Sequence, residues 1–395
     1  MSTSSPARFY LCIDCGGTKT AAVIASQSGA ILSHALAGPS NFTYIGIEAF
    51  LHEISAAVVA ALRIALSLPS SAIPLPTSLP LSIANPSLYT FSAAWLGISG
   101  VDSPSAITRL TPEVSTLLGV PAGPALTITN DVFLLGAPLT LLKDVHSAVA
   151  CIGGTGSIIV SFKRGRTKKG RDTELQEGPL SELARVGGWG WILGDEGGGF
   201  DVGRTAICTL LKLRDAASAG YVLPAAVPGK QTLQDRIFER FGINNILDVL
   251  EAIHMPDPVV AAEEGDIPSK KVDLHDYAAC SREKRLSALS PLVFAAAFED
   301  DDPIALRVLE ECASKLASQI AVVLNDGVEN QQGSRTVPAS ESVLCFGGSL
   351  VSIESYRNLV LHALKQGGHI FRHVEVVDDA AAAGARGLVA SWEEI

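Results

Sequence analysis

Two short glycine-rich turns, at matching points in the two halves of the chain, constrain its fold more than any other feature. The first reads Asp14-Cys15-Gly16-Gly17-Thr18-Lys19 and the second Gly153-Gly154-Thr155-Gly156-Ser157. Each lies between two apolar runs: residues 8–14 and 20–25 flank the first, 147–152 and 157–162 the second. Apolar runs joined by a tight turn fold as β-hairpins. A third run, residues 30–36, extends the first hairpin into an antiparallel meander. Helical and strand patterns then alternate: a helix over 46–66, a strand over 92–98, a helix from Pro104, a strand over 125–129 and a helix starting at Asp131. After the second hairpin the pattern is mostly helical over 196–325. It closes with a strand over 342–346, a helix over 353–366, a strand over 370–376 and an Ala-rich helix. This order predicts an α/β protein of two similar halves with a cleft between them.

Each turn has a chemistry to offer. Glycine lets backbone approach an anion closely, and successive N–H groups form a concavity for phosphate oxygens. Thr18, Thr155 and Ser157 add hydroxyl donors and Lys19 adds charge. One such turn alone is an ordinary hairpin, whereas two at matching places predict a phosphate clamp. No P-loop pattern occurs, and no nucleophile elbow. Asn130-Asp131 follows a strand and opens a helix. A carboxylate there can serve as a general base, although a helix cap is its commoner role.

The stretch from Arg185 to Gly199 holds Trp189 and Trp191, and eight of its fifteen residues are Gly or Asp. Aromatic walls among flexible backbone, ending in the carboxylates of Asp195 and Glu196, suit a polyhydroxylated ligand. Phe346-Gly347-Gly348-Ser349 is a strand end that would allow backbone to lie against a flat ring. His369 and His373 bracket a strand and read as structural.

Composition narrows the function. The 395 residues carry a net charge of −11, which disfavours a nucleic-acid face needing clustered Lys and Arg. The one basic run, residues 163–171, is followed at once by acids and reads as a solvated loop. The seven cysteines have no framework spacing, as in reduced, intracellular chains. Cys12 and Cys15 lie three apart along a strand, so they face opposite sides. The first residues lack the apolar core of a secretion signal. The long uncharged stretch 64–101 is broken by five prolines, so it reads as a surface loop rather than a membrane span. A cytoplasmic protein is expected.

In order along the chain, these motifs resemble the N-acetylglucosamine kinases of the BadF/BadG/BcrA/BcrD ATPase family. The matching stretches are Asp14-x-Gly-Gly-Thr-Lys-Thr, Ser99-Gly100-Val101-Asp102, Asn130-Asp131, Gly154-Thr155-Gly156-Ser157, Gly187-Gly188-Trp189-Gly190 with Gly194-Asp195-Glu196-Gly197, and Gly347-Gly348. The likeness covers nearly the whole chain. It implies a two-domain actin-like ATPase (ribonuclease H-like) fold, each domain a mixed sheet flanked by helices, with an interdomain cleft. The implied domains are residues 1–136 and 137–377, with a final helix over 378–395 packing back on the first.

The resemblance also implies ATP and Mg²⁺ as cofactors and phosphorylation of N-acetylglucosamine at its 6-hydroxyl. Gly16, Gly17, Thr18 and Lys19 match the first phosphate loop; Gly154, Thr155 and Gly156 match the second. Gly347 and Gly348 match the adenosine contact. Asp14 matches the acid that holds the magnesium shell through water, and Asp131 the catalytic base. Asn41, Asn130, Asp131, Ser157, Gly188, Trp189 and Asp195 match sugar-contacting positions. The expected partner is a small-molecule sugar, with no nucleic acid and no membrane; such kinases are often dimers, so a homodimer fits. Residues 68–92 and 163–179 read as insertions. The alternatives are glucosamine, N-acetylmannosamine or a muramic-type sugar as acceptor, an activator-type ATPase of the same superfamily, or a non-catalytic sugar sensor.

Overall fold

The computed structural model describes residues 6–69, 72–77, 80–168, 175–222, 227–258, 277–325 and 335–393. The side chains of 166–168, 175–179 and 393 fall outside the description. Part of each expected insertion (70–71, 78–79 and 169–174) lies outside the described residues.

The first lobe opens with the expected meander: β1 (Ala7–Cys15), β2 (Thr20–Ala25) and β3 (Ile31–Ala37). Helix α1 (Phe42–Ala65) follows, then β4 (Tyr89–Ile98), α2 (Pro104–Leu118), β5 (Leu126–Thr129) and the short α3 (Val132–Leu135). The sheet order is β3-β2-β1-β4-β5, with β1, β4 and β5 parallel. Helix α1 starts four residues before the expected Gly46, which sits inside it at φ 77° as a kink. Among the described residues α1 alone is long and apolar enough to cross a bilayer, and half of that stretch is buried in the lobe. Phe50, Ile54, Val58 and Leu62 recur along its buried face, the spacing of an amphipathic core helix.

The second lobe repeats the plan. It contains β6 (Ser147–Gly153), β7 (Ser157–Lys168), β8 (Leu175–Gly187), α4 (Gly199–Ser218), α5 (Leu233–Phe241), α6 (Val249–His254), α7 (Arg282–Ser287), α8 (Ser290–Phe298) and α9 (Pro303–Val322). A two-strand ladder of β9 (Leu324–Asn325) and β10 (Val337–Pro338) precedes β11 (Ser342–Gly347), α10 (Glu354–Gln366) and β12 (His373–Val376). Its sheet runs β12-β11-β6-β7-β8. The last helix, α11 (Ala380–Glu393), leaves this sheet and packs on β1, β2 and β4 of the first. There Gly384 lies so close to Cys12 that a Cβ would meet its sulfur at 2.5 Å.

Two expectations are corrected. The basic run is not a surface loop: residues 163–168 continue β7 and pair with β8, which occupies the sheet edge. An edge strand tolerates the charge, the glycine and Pro179 that disguised it. The Pro-rich stretch is not merely a surface loop either. Ile73, Leu81 and Ile83 are buried in the first lobe's core, and Arg63 donates to the Ile73 carbonyl at 2.6 Å. Cys12 and Cys15 face opposite sides of β1, one toward α11 and the other toward α1.

The lobes meet along an apolar back wall. Val132, Leu135 and Leu139 pack with Val160, Phe162 and Val343, and the rings of Phe133 and Phe162 meet edge-on at 4.9 Å.

Candidate active site

In each sheet the parallel strands stop at the same end. Asp14 on β1 is level with Gly97 on β4, which is level with Thr129 on β5. The residues just beyond those positions are Cys15 to Lys19, Ser99 to Asp102, and Asn130-Asp131. In the second sheet Gly347 on β11 is level with Ile152 on β6, and β12 ends just before Asp378 and Asp379. Sites in α/β folds gather at such strand ends. Sequence motifs more than 100 residues apart are thereby brought to one mouth.

The first turn is held by Gly16 N–H donating to the Lys19 carbonyl and Ser40 N–H donating to the Gly16 carbonyl, both at 3.0 Å. The second is held by Gly154 N–H on the Gly156 carbonyl at 3.0 Å. Among the described residues the N–H groups of Gly17, Thr18, Thr155 and Gly156 have no protein acceptor. Exposed N–H groups in tight turns are the donors an anion nest needs.

The second turn is braced from behind. Gly199 N–H donates to the Gly154 carbonyl at 2.8 Å and Phe200 N–H to the Thr155 carbonyl at 3.0 Å. The start of α4 thus spends its own free donors on the turn. Buried Asp201 accepts from Gly197 N–H at 2.9 Å and pairs with Lys315 at 3.1 Å, and the buried Tyr356 hydroxyl donates to the Gly197 carbonyl at 2.8 Å. The third glycine pair lies against this turn. Gly348 has φ 101°, and a Cβ there would meet the Gly153 carbonyl oxygen at 2.7 Å. Leu350 N–H donates to that same carbonyl at 2.9 Å.

Asp131 occupies the cap position of α3, yet its side chain makes no capping bond. Asn130 caps instead, its Oδ1 accepting from Val132 N–H at 3.1 Å. The carboxylate of Asp131 is therefore not spent on the cap. Burial pushes its pKa up, while the Val132 N–H and the Ser99 hydroxyl pull it back. Among the described residues Asp14 accepts no hydrogen bond. Burial pushes its carboxyl up to about 6, with Asp131 adding to the rise, Lys19 opposing it and Asp379 adding again.

The other expected positions divide by what their polar atoms already do. Asn41 is buried and caps α1 through Oδ1, accepting from Thr43 N–H at 3.1 Å; its Nδ2 is uncommitted among the described residues. Asn130 also donates through Nδ2 to Asp102 at 3.0 Å. Ser157 is buried and spends its hydroxyl on the Glu196 carbonyl at 2.7 Å. Asp195 adopts φ 62° and accepts from Ser157 N–H at 3.1 Å, which sets its carboxylate against the second turn. Gly188 is exposed, and Trp189 is 66% exposed beside Ile192 and Leu193. Trp191 instead turns inward and packs on Phe200 at 5.2 Å.

Sequence reading gave no site role to four contributors. Ser99 faces Asp131, Asp379 caps α11 through Ala382 N–H at 2.9 Å, and Asp102 pairs with Arg185 at 3.4 Å. Asp102 had a motif signal. Ser99 lay in the same motif and Arg185 opened the Trp-containing stretch, but neither was given a role; Asp379 had no signal, because only the strand ends bring it near.

No family model matches the chain. It is similar to the N-acetylmuramic acid/N-acetylglucosamine kinase of Clostridium acetobutylicum, with 27% identity over 212 residues, 53% of this chain and 55% of that protein. The match thus spans about half the length of that curated relative. A structure from Porphyromonas gingivalis, provisionally named an N-acetylglucosamine kinase, superposes with a TM-score of 0.54 at 19% identity, covering 96% of this chain and 98% of the other. A similarly named protein from Chromobacterium violaceum gives 0.52 at 20%, covering 97% and 99%. The chain shares the fold of these two structures, the two-domain actin-like ATPase fold. Two mixed sheets with helices on their faces are what the sequence led us to expect.

A pH dependence follows from the Asp14 and Asp131 pair. Both carboxylates are raised by burial and would have to be ionised for their expected roles. With Asp14 at about 6, kcat/KM is expected to fall about tenfold per pH unit below about 6. Replacing Asp379 by Asn removes one charge that raises Asp14, so the acid limb should move to lower pH. The sign for stability is opposite to the usual carboxylate. A folded pKa above the unfolded 3.8 means protons are taken up on folding, so this group's contribution improves as pH falls through about 6. Asp14→Asn should therefore raise the Tm at pH 7 while lowering turnover. A fall in Tm would show that the Asp14 charge supports the fold.

Proposed function

We propose that this chain is an ATP-dependent amino-sugar kinase of the BadF/BadG/BcrA/BcrD type, transferring phosphate to the 6-hydroxyl of N-acetylglucosamine. One observation carries the reading. The Asp131 carboxylate makes no capping bond, because Asn130 caps α3 in its place, and it lies close enough to Asp14 of the first glycine-rich turn to raise its pKa, beside the free N–H groups of Gly17 and Thr18. A base aimed at an acceptor hydroxyl and a cradle for phosphates are the parts phosphoryl transfer needs, since it rests on positioning and charge stabilisation. Residues 14–19 and 153–157 would hold the phosphates, and Gly347-Gly348 would lie against the nucleoside. The Asp14 carboxylate, partly buried and without a protein donor, fits a hydrated Mg²⁺, which binds through one or two carboxylates and keeps most of its waters. Bound there, Mg²⁺ would neutralise charge on the transferring group. Asn41, Asn130, Gly188, Trp189 and Asp195 would line the sugar pocket.

A muramic-type acceptor is the second reading, because the curated relative is named for both sugars. An activator-type ATPase is disfavoured: it needs cysteines at a subunit surface, and six of the seven here are buried.

The test is ADP release with ATP and N-acetylglucosamine, N-acetylmuramic acid, glucosamine, N-acetylmannosamine, glucose or no sugar. Release confined to N-acetylated sugars is expected, with N-acetylglucosamine fastest. Release indifferent to sugar would overturn the kinase reading.

A further inference from the structure

The mouth of the cleft carries a polar relay that runs from one lobe into the other. Arg185 sits on β8, opposite Val160 of β7 and two residues before Gly187. Its Nε and Nη2 bond Glu182 on the same strand at 3.3 and 3.1 Å. Its Nη1 reaches across the cleft to Asp102 Oδ1 at 3.4 Å. The same Oδ1 accepts from Asn130 Nδ2 at 3.0 Å, and Asn130 Oδ1 holds the Val132 N–H that begins α3. The chain of contacts therefore ends at the backbone that carries Asp131.

Stability does not account for this arrangement. The side chains of Arg185 and Asp102 are 33% and 60% exposed, and exposed pairs contribute little to folding. The pair joins the two lobes, and its long separation leaves room to tighten. Glu182 pre-orients the guanidinium, so its fork is already aimed when the lobes approach. When Asp102 is drawn toward Arg185, the Asn130 amide is drawn with it.

We propose that Arg185 is a positioning residue: by pairing with Asp102 across the cleft, it ties lobe closure to the orientation of Asn130 and the placement of Asp131. The catalytic consequence rests on the kinase reading above. The closure consequence does not.

The experiment combines steady-state kinetics with small-angle scattering on Arg185→Met, Arg185→Lys, Asp102→Asn and the double variant Arg185→Met/Asp102→Asn. Arg185→Met should keep the wild-type Tm and lose about 10- to 100-fold in kcat, with KM for the sugar changed less, as misplacement of a reacting group does. Arg185→Lys should recover part of that loss. The double variant should be no worse than the poorer single one, because both remove one coupling. Scattering with an ATP analogue and N-acetylglucosamine should show contraction in the wild type and a smaller one in Arg185→Met. Additive losses with a lowered Tm would overturn the proposal in favour of a structural role. So would wild-type kcat and contraction in Arg185→Met. If the wild type phosphorylates no sugar, the kinase reading fails, and the scattering comparison with the nucleotide analogue alone still decides whether Arg185 latches the lobes.

Discussion

Asp131→Asn is expected to lower kcat by about 10²- to 10⁴-fold, the usual worth of a positioned base, while Tm and sugar binding stay near wild type. Two features of the site make this variant informative. The capping bond at the start of α3 belongs to Asn130 rather than Asp131, so the substitution removes no helix cap. The Asp131 carboxylate is also held above its ordinary pKa by burial, so a neutral amide there is cheaper to bury than the charge it replaces. Loss of turnover therefore cannot be assigned to unfolding. Isothermal titration with N-acetylglucosamine and single-turnover phosphate transfer would separate binding from chemistry. Turnover within about threefold of wild type would remove Asp131 from the role of base.

The same residue shows how far the sequence could be read. Its place after a strand and at a helix start was legible, because the apolar run of β5 ends in Thr129 and Asn130-Asp131 is a cap signal. Its freedom from capping was not, because choosing between Asn130 and Asp131 as the cap needs coordinates. The meander β1–β3 was equally legible, as its turns carry glycine, β1 and β2 are buried on both faces and β3 alternates. Strand β8 was not. Its sequence, Leu-Gln-Glu-Gly-Pro-Leu-Ser-Glu-Leu-Ala-Arg-Val-Gly, contains the residues that end strands elsewhere, and only its edge position tolerates them. Hiding β8 also hid Arg185, since a residue read as part of a loop cannot be aimed across a cleft. Asp379 was lost for another reason: the reach of α11 back to β1 could be expected, but its approach to Asp14 depends on Gly384 seating against Cys12.

Gly198→Ala is expected to reduce kcat/KM for ATP by about 10²-fold and to lower stability by about 1–3 kcal/mol, the usual range for overpacking a tight contact. A Cβ on Gly198 would lie 2.8–2.9 Å from the carbonyl carbon, Cα and oxygen of Gly156. Those atoms are backbone and cannot rotate away, so the second turn must part from the start of α4. The bonds from Gly199 and Phe200 to the turn carbonyls would lengthen with it, and the free N–H groups of Thr155 and Gly156 would lose their aim. Gly156→Ala makes the useful contrast. Its Cβ would meet the Asp195 carboxylate at 2.5–2.7 Å, and a side-chain terminus can swing aside. The cost there should fall on the Ser157 N–H bond to Asp195 and appear mainly in KM for the sugar. Gly367→Ala, with its nearest neighbour 3.4 Å from the new Cβ, should leave both constants unchanged. If Gly198→Ala and Gly156→Ala raised the same KM, the two faces of this turn would not be divided between nucleotide and sugar. The turn would then have to act as a single hinge, with Asp195 reporting its position rather than holding the sugar.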